Sequence, residues 1–161
     1  MKPTVAILMG SDSDVPALKP CGEVLKELGI PFVAKVLSAH RTPDETVAFV
    51  KCAKKKGIKV IIAAAGGAAH LAGVAAANTS LPVIGIPVET SSFKGMDSLL
   101  STVQMPAGTP VATVAVGSSG VKNAAFLAAR ILALGDAKLE NALEKYKDDN
   151  RKKILNKEVS L

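Results

Sequence analysis

Three short segments of the 161-residue chain carry side chains that could do chemistry together. They are Gly10-Ser11-Asp12-Ser13-Asp14, Ser38-Ala39-His40-Arg41-Thr42-Pro43 and Gly66-Gly67-Ala68-Ala69-His70-Leu71. Taken singly, each also has a plain structural use. The first is either a turn with a helix cap or a cradle of hydroxyls and N–H groups that holds a phosphate at a helix start. Asp14 would repel a phosphate and suits sugar hydroxyls as their acceptor. His40 makes a structural hydrogen bond or moves a proton. Arg41, at a helix start, sits where the dipole disfavours a cation, which implies an anion to pair with; a guanidinium grips phosphate with two bonds. Gly66 and Gly67 permit tight strand-to-helix packing, or let backbone approach a ligand closely. His70 caps or bridges.

The joint pattern says more than its members. Histidines, an arginine, serines and an aspartate at strand ends suit a phosphorylated sugar derivative undergoing proton transfer. Histidine is the natural carrier because it titrates near neutrality. The chain shows no metal-ligand triad and no nucleophile–base–orienter set.

Something must bring these segments to one edge. Apolar runs at Val5–Met9, Phe32–Leu37, Val60–Ala65, Val83–Ile86 and Val111–Val116 alternate with helix-like stretches, which predicts an α/β fold with a mainly parallel sheet. Most of the runs are apolar throughout, as in strands covered on both faces. Loops leaving the strand C-termini of such a sheet share one edge, where ligands bind. Thr42-Pro43-Asp44-Glu45 reads as a capping box opening a helix with Val47, Val50 and Ala53 inward, ended by Gly57. Leu18, Cys21, Leu25 and Leu28 recur at helical spacing, but Pro20 predicts a kink, or a start near Pro20. Val121–Leu134 reads as an Ala-rich helix. Asp136 caps a last helix through about Lys153 with Leu139, Leu143 and Tyr146 on one face. The expected organisation is a single catalytic domain over 1–161, with 136–161 a helical extension packing on neighbouring subunits.

Composition narrows the function. At 48% hydrophobic and 21% charged residues the chain is not disordered, and 13 Gly with 9 Pro rule out a coiled coil. Four Phe, one Tyr and no Trp supply poor platforms for stacking bases or a flavin. The net charge of +6 owes much to Lys51, Lys54, Lys55, Lys56 and Lys59, read as a solvated helix end rather than a nucleic-acid patch. Val60–Val88 lacks formal charge, but its glycines, His70, Asn78-Thr79-Ser80 and prolines break it too often for a membrane span. Cys21 and Cys52 are expected as buried, reduced thiols. No secretion signal is evident, and a cytoplasmic location is expected.

The three segments, with Pro82-Val83-Ile84-Gly85-Ile86-Pro87-Val88 and Ser101-Thr102-Val103-Gln104-Met105-Pro106, resemble the signature loops of the PurE family. The likeness extends over nearly the whole chain. It implies a flavodoxin-like three-layer αβα sandwich on a mainly parallel five-stranded sheet with a C-terminal helix. It also implies a homo-octamer and a step of purine biosynthesis. Arg41 after His40, and Gly-Gly-Ala-Ala-His in the third segment, resemble the class that converts N5-carboxyaminoimidazole ribonucleotide (N5-CAIR) to 4-carboxyaminoimidazole ribonucleotide (CAIR). The sister class carboxylates aminoimidazole ribonucleotide (AIR) directly with CO2 and typically carries Lys in place of this arginine. Ala72 stands where the resembling class usually has Pro.

By this resemblance His40 is the acid/base, and Ser11, Asp14 and Arg41 bind substrate. Ser13, Ser38 and Arg41 surround the phosphate, Asp14 holds ribose hydroxyls, and Gly67, Ala68 and His70 close over the imidazole and the carboxyl group. No cofactor and no metal is implied. The implied partners are N5-CAIR, other copies of the chain and, transiently, the synthetase that makes the substrate. The remaining alternatives are the direct carboxylase and a non-enzymatic flavodoxin-like receiver or nucleotide-binding module.

Overall fold

In the computed structural model, which describes residues 2–159, five strands form one parallel sheet. They are β1 (Val5–Met9), β2 (Phe32–Val36), β3 (Val60–Gly66), β4 (Val83–Val88) and β5 (Ala112–Thr113). Met1 and residues 160–161, the ends of the expected domain and its extension, lie outside the described residues. The helices are α1 (Val15–Glu27), α2 (Pro43–Ala53), α3 (Leu71–Ala77), α4 (Met96–Val103), α5 (Ser118–Ala133) and α6 (Ala137–Leu155). The strand order is β2-β1-β3-β4-β5, with Ile7 opposite both Ala34 and Ile62, and Ile62 opposite Ile84.

Alternate strand residues feed two cores, because successive side chains point to opposite faces. Val5, Ile7, Met9, Val60, Ile62, Ile84 and Ile86 pack with Leu18, Cys21 and Leu25 of α1 and with Ala124, Ala125, Ala128 and Ala129 of α5. Ala6, Leu8, Ile61, Ala63 and Val83 pack with Val50 and Ala53 of α2 and with Leu71, Ala72 and Ala75 of α3. Each fully buried aliphatic side chain is worth roughly 1.5–3 kcal/mol. Helices on both faces make the three-layer flavodoxin-like sandwich. α4 joins the α3 side through Gly85, where a Cβ would stand 2.4 Å from Thr102 Cγ2 and 3.3 Å from Ala72 Cβ. Only glycine lets α4 approach β4 so closely.

Several sequence expectations are corrected in detail. α1 starts at Val15, not near Pro20, and runs through that proline. Pro20 lies early in the helix, so its missing N–H removes a single helical bond. Thr42 makes no side-chain cap on α2; its hydroxyl is engaged by Ser38 instead. Thr46, rather than Val47, lines the buried stripe with Val50 and Ala53. Cys52 is exposed, being off that stripe, while Cys21 is buried and its thiol is pushed up to about 12 by desolvation. β2 is an edge strand with Ala34, Lys35 and Val36 exposed, and β5 keeps only two residues of the expected run. α6 is capped by Asp136, whose carboxylate accepts from Lys138 and Leu139 N–H. Its first half lies on α5, with Leu139 buried and Tyr146 against Phe126, ring centroids 4.6 Å apart. No helix among the described residues is long and apolar enough to cross a membrane.

Candidate active site

In the order β2-β1-β3-β4-β5 the chain turns one way after β1 and the other way after β3, leaving a crevice beyond their C-terminal ends. The loops after β1, β2 and β3 meet there around a cavity of about 340 Å³. Of the residues expected at the site, Ser11, Asp14, Ser38, His40, Arg41, Ala68 and His70 line it, joined by Gly10, Gly66 and Leu71. Ser13 and Gly67 are not among the lining residues; each adjoins one, Ser13 beside Asp14 and Gly67 between Gly66 and Ala68.

The loop after β1 is a capping box. Ser11 Oγ accepts from Ser13 N–H at 3.3 Å, and Asp14 Oδ2 accepts from Ser11 N–H at 3.1 Å. Ser13 Oγ lies 2.9 Å from Ser11 Oγ, so the two hydroxyls form one polar edge. Among the described residues only Oδ2 of Asp14 is engaged, which leaves Oδ1 to accept from a ligand. Burial pushes its carboxyl above the ordinary 3.8, opposed by the Ser11 N–H and the Arg41 guanidinium, while Asp12 adds to the rise.

The loop after β2 is organised by Ser38, one of the few buried polar side chains. Its Oγ accepts from His40 N–H at 3.3 Å and from Arg41 N–H at 3.1 Å. Its carbonyl accepts from Thr42 N–H at 3.0 Å and from the Thr42 and Thr46 hydroxyls. The turn therefore carries His40 and Arg41 outward on a fixed backbone. Arg41 Nη2 donates to Gly10 O and Nε points to Ser38 Oγ at 3.5 Å, which ties the second loop to the first. The guanidinium lies beside Ser38 Oγ and lines the same cavity as Ser11, a suitable place for a dianion.

His40 Nε2 lies 2.7 Å from His70 Nδ1, with the rings edge to face. One proton sits between the two nitrogens, so each ring sets the tautomer of the other. The third loop turns at Gly67, whose φ of +63° favours glycine. Its Ala69 N–H donates to Ser101 Oγ at 3.0 Å. Ser101 lies on α4, a helix absent from the sequence expectations. The signal was present as hydroxyls Ser98, Ser101 and Thr102 on one helical face and Met96, Leu100 and Val103 on another. Among the described residues no group of three His, Cys, Asp or Glu side chains has metal-site geometry.

This arrangement suits an anionic ribonucleotide and proton transfer by an imidazole, and the chain's relatives agree. A family model described as AIR carboxylase matches residues 4–153. The chain is 50% identical over 155 residues to the N5-carboxyaminoimidazole ribonucleotide mutase of Bacillus subtilis, covering 96% of each. It is 56% identical over 147 residues to the enzyme of that name from Brucella melitensis, covering 91% of each. Among solved structures, Treponema denticola PurE superposes with a TM-score of 0.86 at 33% identity, over 95% of this chain and 94% of that one. Fold, cavity and sequence converge, and the chain belongs to the AIR carboxylase family, the PurE proteins.

Proposed function

We propose that the chain is an N5-CAIR mutase of purine biosynthesis, an isomerase that moves a carboxyl group from the exocyclic nitrogen to carbon 4 of the imidazole. The observation that carries this reading is the placement of His40 and Arg41 on one rigid turn at the cavity, one to move a proton and the other to meet a phosphate. Relatives of near half identity carry the same activity in their names.

The phosphate lies against Arg41, Ser13 and Ser38, Asp14 holds the ribose hydroxyls, and Ser11 also binds the substrate. His40 gives its proton to the exocyclic nitrogen, the N–C bond of the carbamate breaks, and CO2 is freed. Carbon 4 attacks that CO2, a C–C bond forms, and the carbon 4 proton passes to the now neutral His40. The imidazole ends as it began. Gly67, Ala68 and His70 cover the ring and the CO2. Keeping CO2 beside the ring avoids a bimolecular recapture, and such confinement is worth up to ~7–11 kcal/mol in good geometry.

The enzyme works as a cytoplasmic homo-octamer, with the exposed far end of α6 against neighbouring subunits and its labile substrate taken from the synthetase by transient contact. Exposed Met96, Leu100 and Val103 on α4, and Ile154 and Leu155 near the end of α6, support the assembly. An unchanged oligomer in light scattering after Ile154→Glu with Leu155→Glu would remove the α6 tail from the interface. The activity itself is tested by supplying N5-CAIR and AIR in turn with labelled bicarbonate. CAIR formed from N5-CAIR with little label supports the mutase. CAIR formed only from AIR, fully labelled, identifies the direct carboxylase.

A further inference from the structure

From the hydrogen bonds of α4 we infer that Ser101 is a positioning residue that holds the third loop shut over the CO2 intermediate. The inference rests on the reaction proposed above. Ala69, which is 1% exposed, has its N–H on Ser101 Oγ at 3.0 Å, across 32 positions of sequence. The single proton of that hydroxyl goes to Asp97 O at 2.7 Å, with Gly67 O farther off at 3.4 Å. Ser101 is thus used as donor toward its own helix and as acceptor toward the loop. Its helix is in turn fastened to the sheet, since Ser98 Oγ donates to Val88 O at 2.8 Å.

Among the described residues, no side chain but that of Ser101 bonds the backbone of this loop, although His70 O accepts from Val74 N–H at the start of α3. Within it, His70 N–H donates to Ala68 O at 2.9 Å, a bond that shapes the turn without tying it to another element. His70, at the N-cap of α3, makes no side-chain cap. The only other side-chain hydrogen bond across to this loop among the described residues is His40–His70, between two exposed rings. Removing the Ser101 hydroxyl therefore frees the one buried amide that anchors Ala68 and His70 over the cavity. A loosened loop lets CO2 leave after the N–C bond has broken, and AIR is left behind.

The experiment compares wild type, Ser101→Ala, Ser101→Cys and Ser101→Thr by two readouts. The first is the partition of consumed N5-CAIR between CAIR and AIR, with decarboxylation in the absence of enzyme subtracted. Ser101→Ala should divert about tenfold more substrate to AIR, the scale of one net hydrogen bond, and Ser101→Thr should return to within about threefold of wild type. A simple loss of folded protein lowers both products together and leaves the partition alone. Ser101→Cys, which keeps the volume with a poor acceptor, carries the same expectation should the alanine variant be insoluble. The second readout is exchange of the Ala69 amide, expected to quicken about tenfold in Ser101→Ala. An amide that exchanges no faster overturns the strut whatever reaction the enzyme performs. A faster amide with an unchanged partition overturns the trapping role.

Discussion

The second and third loops both bring a histidine to the same cavity, but they are held in opposite ways. In the second, the bonds that shape the backbone turn are short in sequence, and only the Arg41 side chain reaches another element, at Gly10 O. Ser38 accepts from His40 and Arg41 with its side chain, and from Thr42 and Thr46 with its carbonyl. In the third, the deciding bond comes from Ser101 on a helix that begins 26 residues after His70, at Met96. A loop that fixes itself suits groups whose position must not vary, such as a proton carrier and a phosphate anchor. A loop fixed from outside suits a cover, because its closure depends on contacts that need not form first.

Substitutions can break that contrast, and the largest effect belongs to the self-held loop. His40→Asn should lower turnover by roughly 10² or more with substrate affinity within a few-fold, as for loss of a general acid/base. Near-normal turnover in steady-state assays would strip His40 of the role. Arg41→Ala should come next, weakening substrate binding by roughly tenfold to a hundredfold through lost charge-assisted bonds. Inorganic phosphate that still competes equally well would show that Arg41 is not the phosphate anchor. His70→Asn, in the outer-held loop, should cost about tenfold at most, since it removes one hydrogen bond between exposed rings. A loss as deep as that of His40→Asn would make the two histidines equal partners and erase the contrast.

The smallest effect is on stability and sharpens the comparison from the first loop. The Asp14 carboxyl is raised above 3.8 chiefly by burial, so the folded state binds its proton more tightly than the unfolded state. Stability is therefore lost as pH rises from 3.8 through the folded value, and the cost persists at neutrality. Asp14→Asn keeps an acceptor for the Ser11 N–H and removes the charge. Its Tm should exceed that of wild type modestly at pH 7, and the gap should close on acidification below 3.8. A gap that widens in acid would mean that the carboxylate stabilises the free enzyme. The same variant should bind substrate less well, which marks Asp14 as kept for the ligand.

Much of this was legible in the order of residues. β1 begins and ends where the apolar run does, and β3 and β4 extend theirs by only one or two residues, because strands buried on both faces must be apolar throughout. The three loops were recognisable because glycine, serine, histidine and arginine were clustered at the ends of those runs. β5 was overestimated, since apolar residues such as Val111 and Val114 serve packing outside the ladder. α4 was missed altogether. Its inward face carries hydroxyls and its outward face methionine, leucine and valine, the reverse of the usual surface helix. Thr42 was misassigned because a threonine before proline caps a helix in general, while here Ser38 lies close enough to claim its hydroxyl.

The sequence alone determined which strands are buried, where the loops fall and which chemistry they hold, because burial and turn formation depend on neighbours a few residues away. Only the tertiary structure decided that His40 meets His70 at 2.7 Å, that Arg41 reaches Gly10, and that Ser101 holds Ala69. Those contacts join elements about thirty residues apart. Their existence depends on the strand order and on the close approach of α4 at Gly85, which no local pattern of residue types encodes.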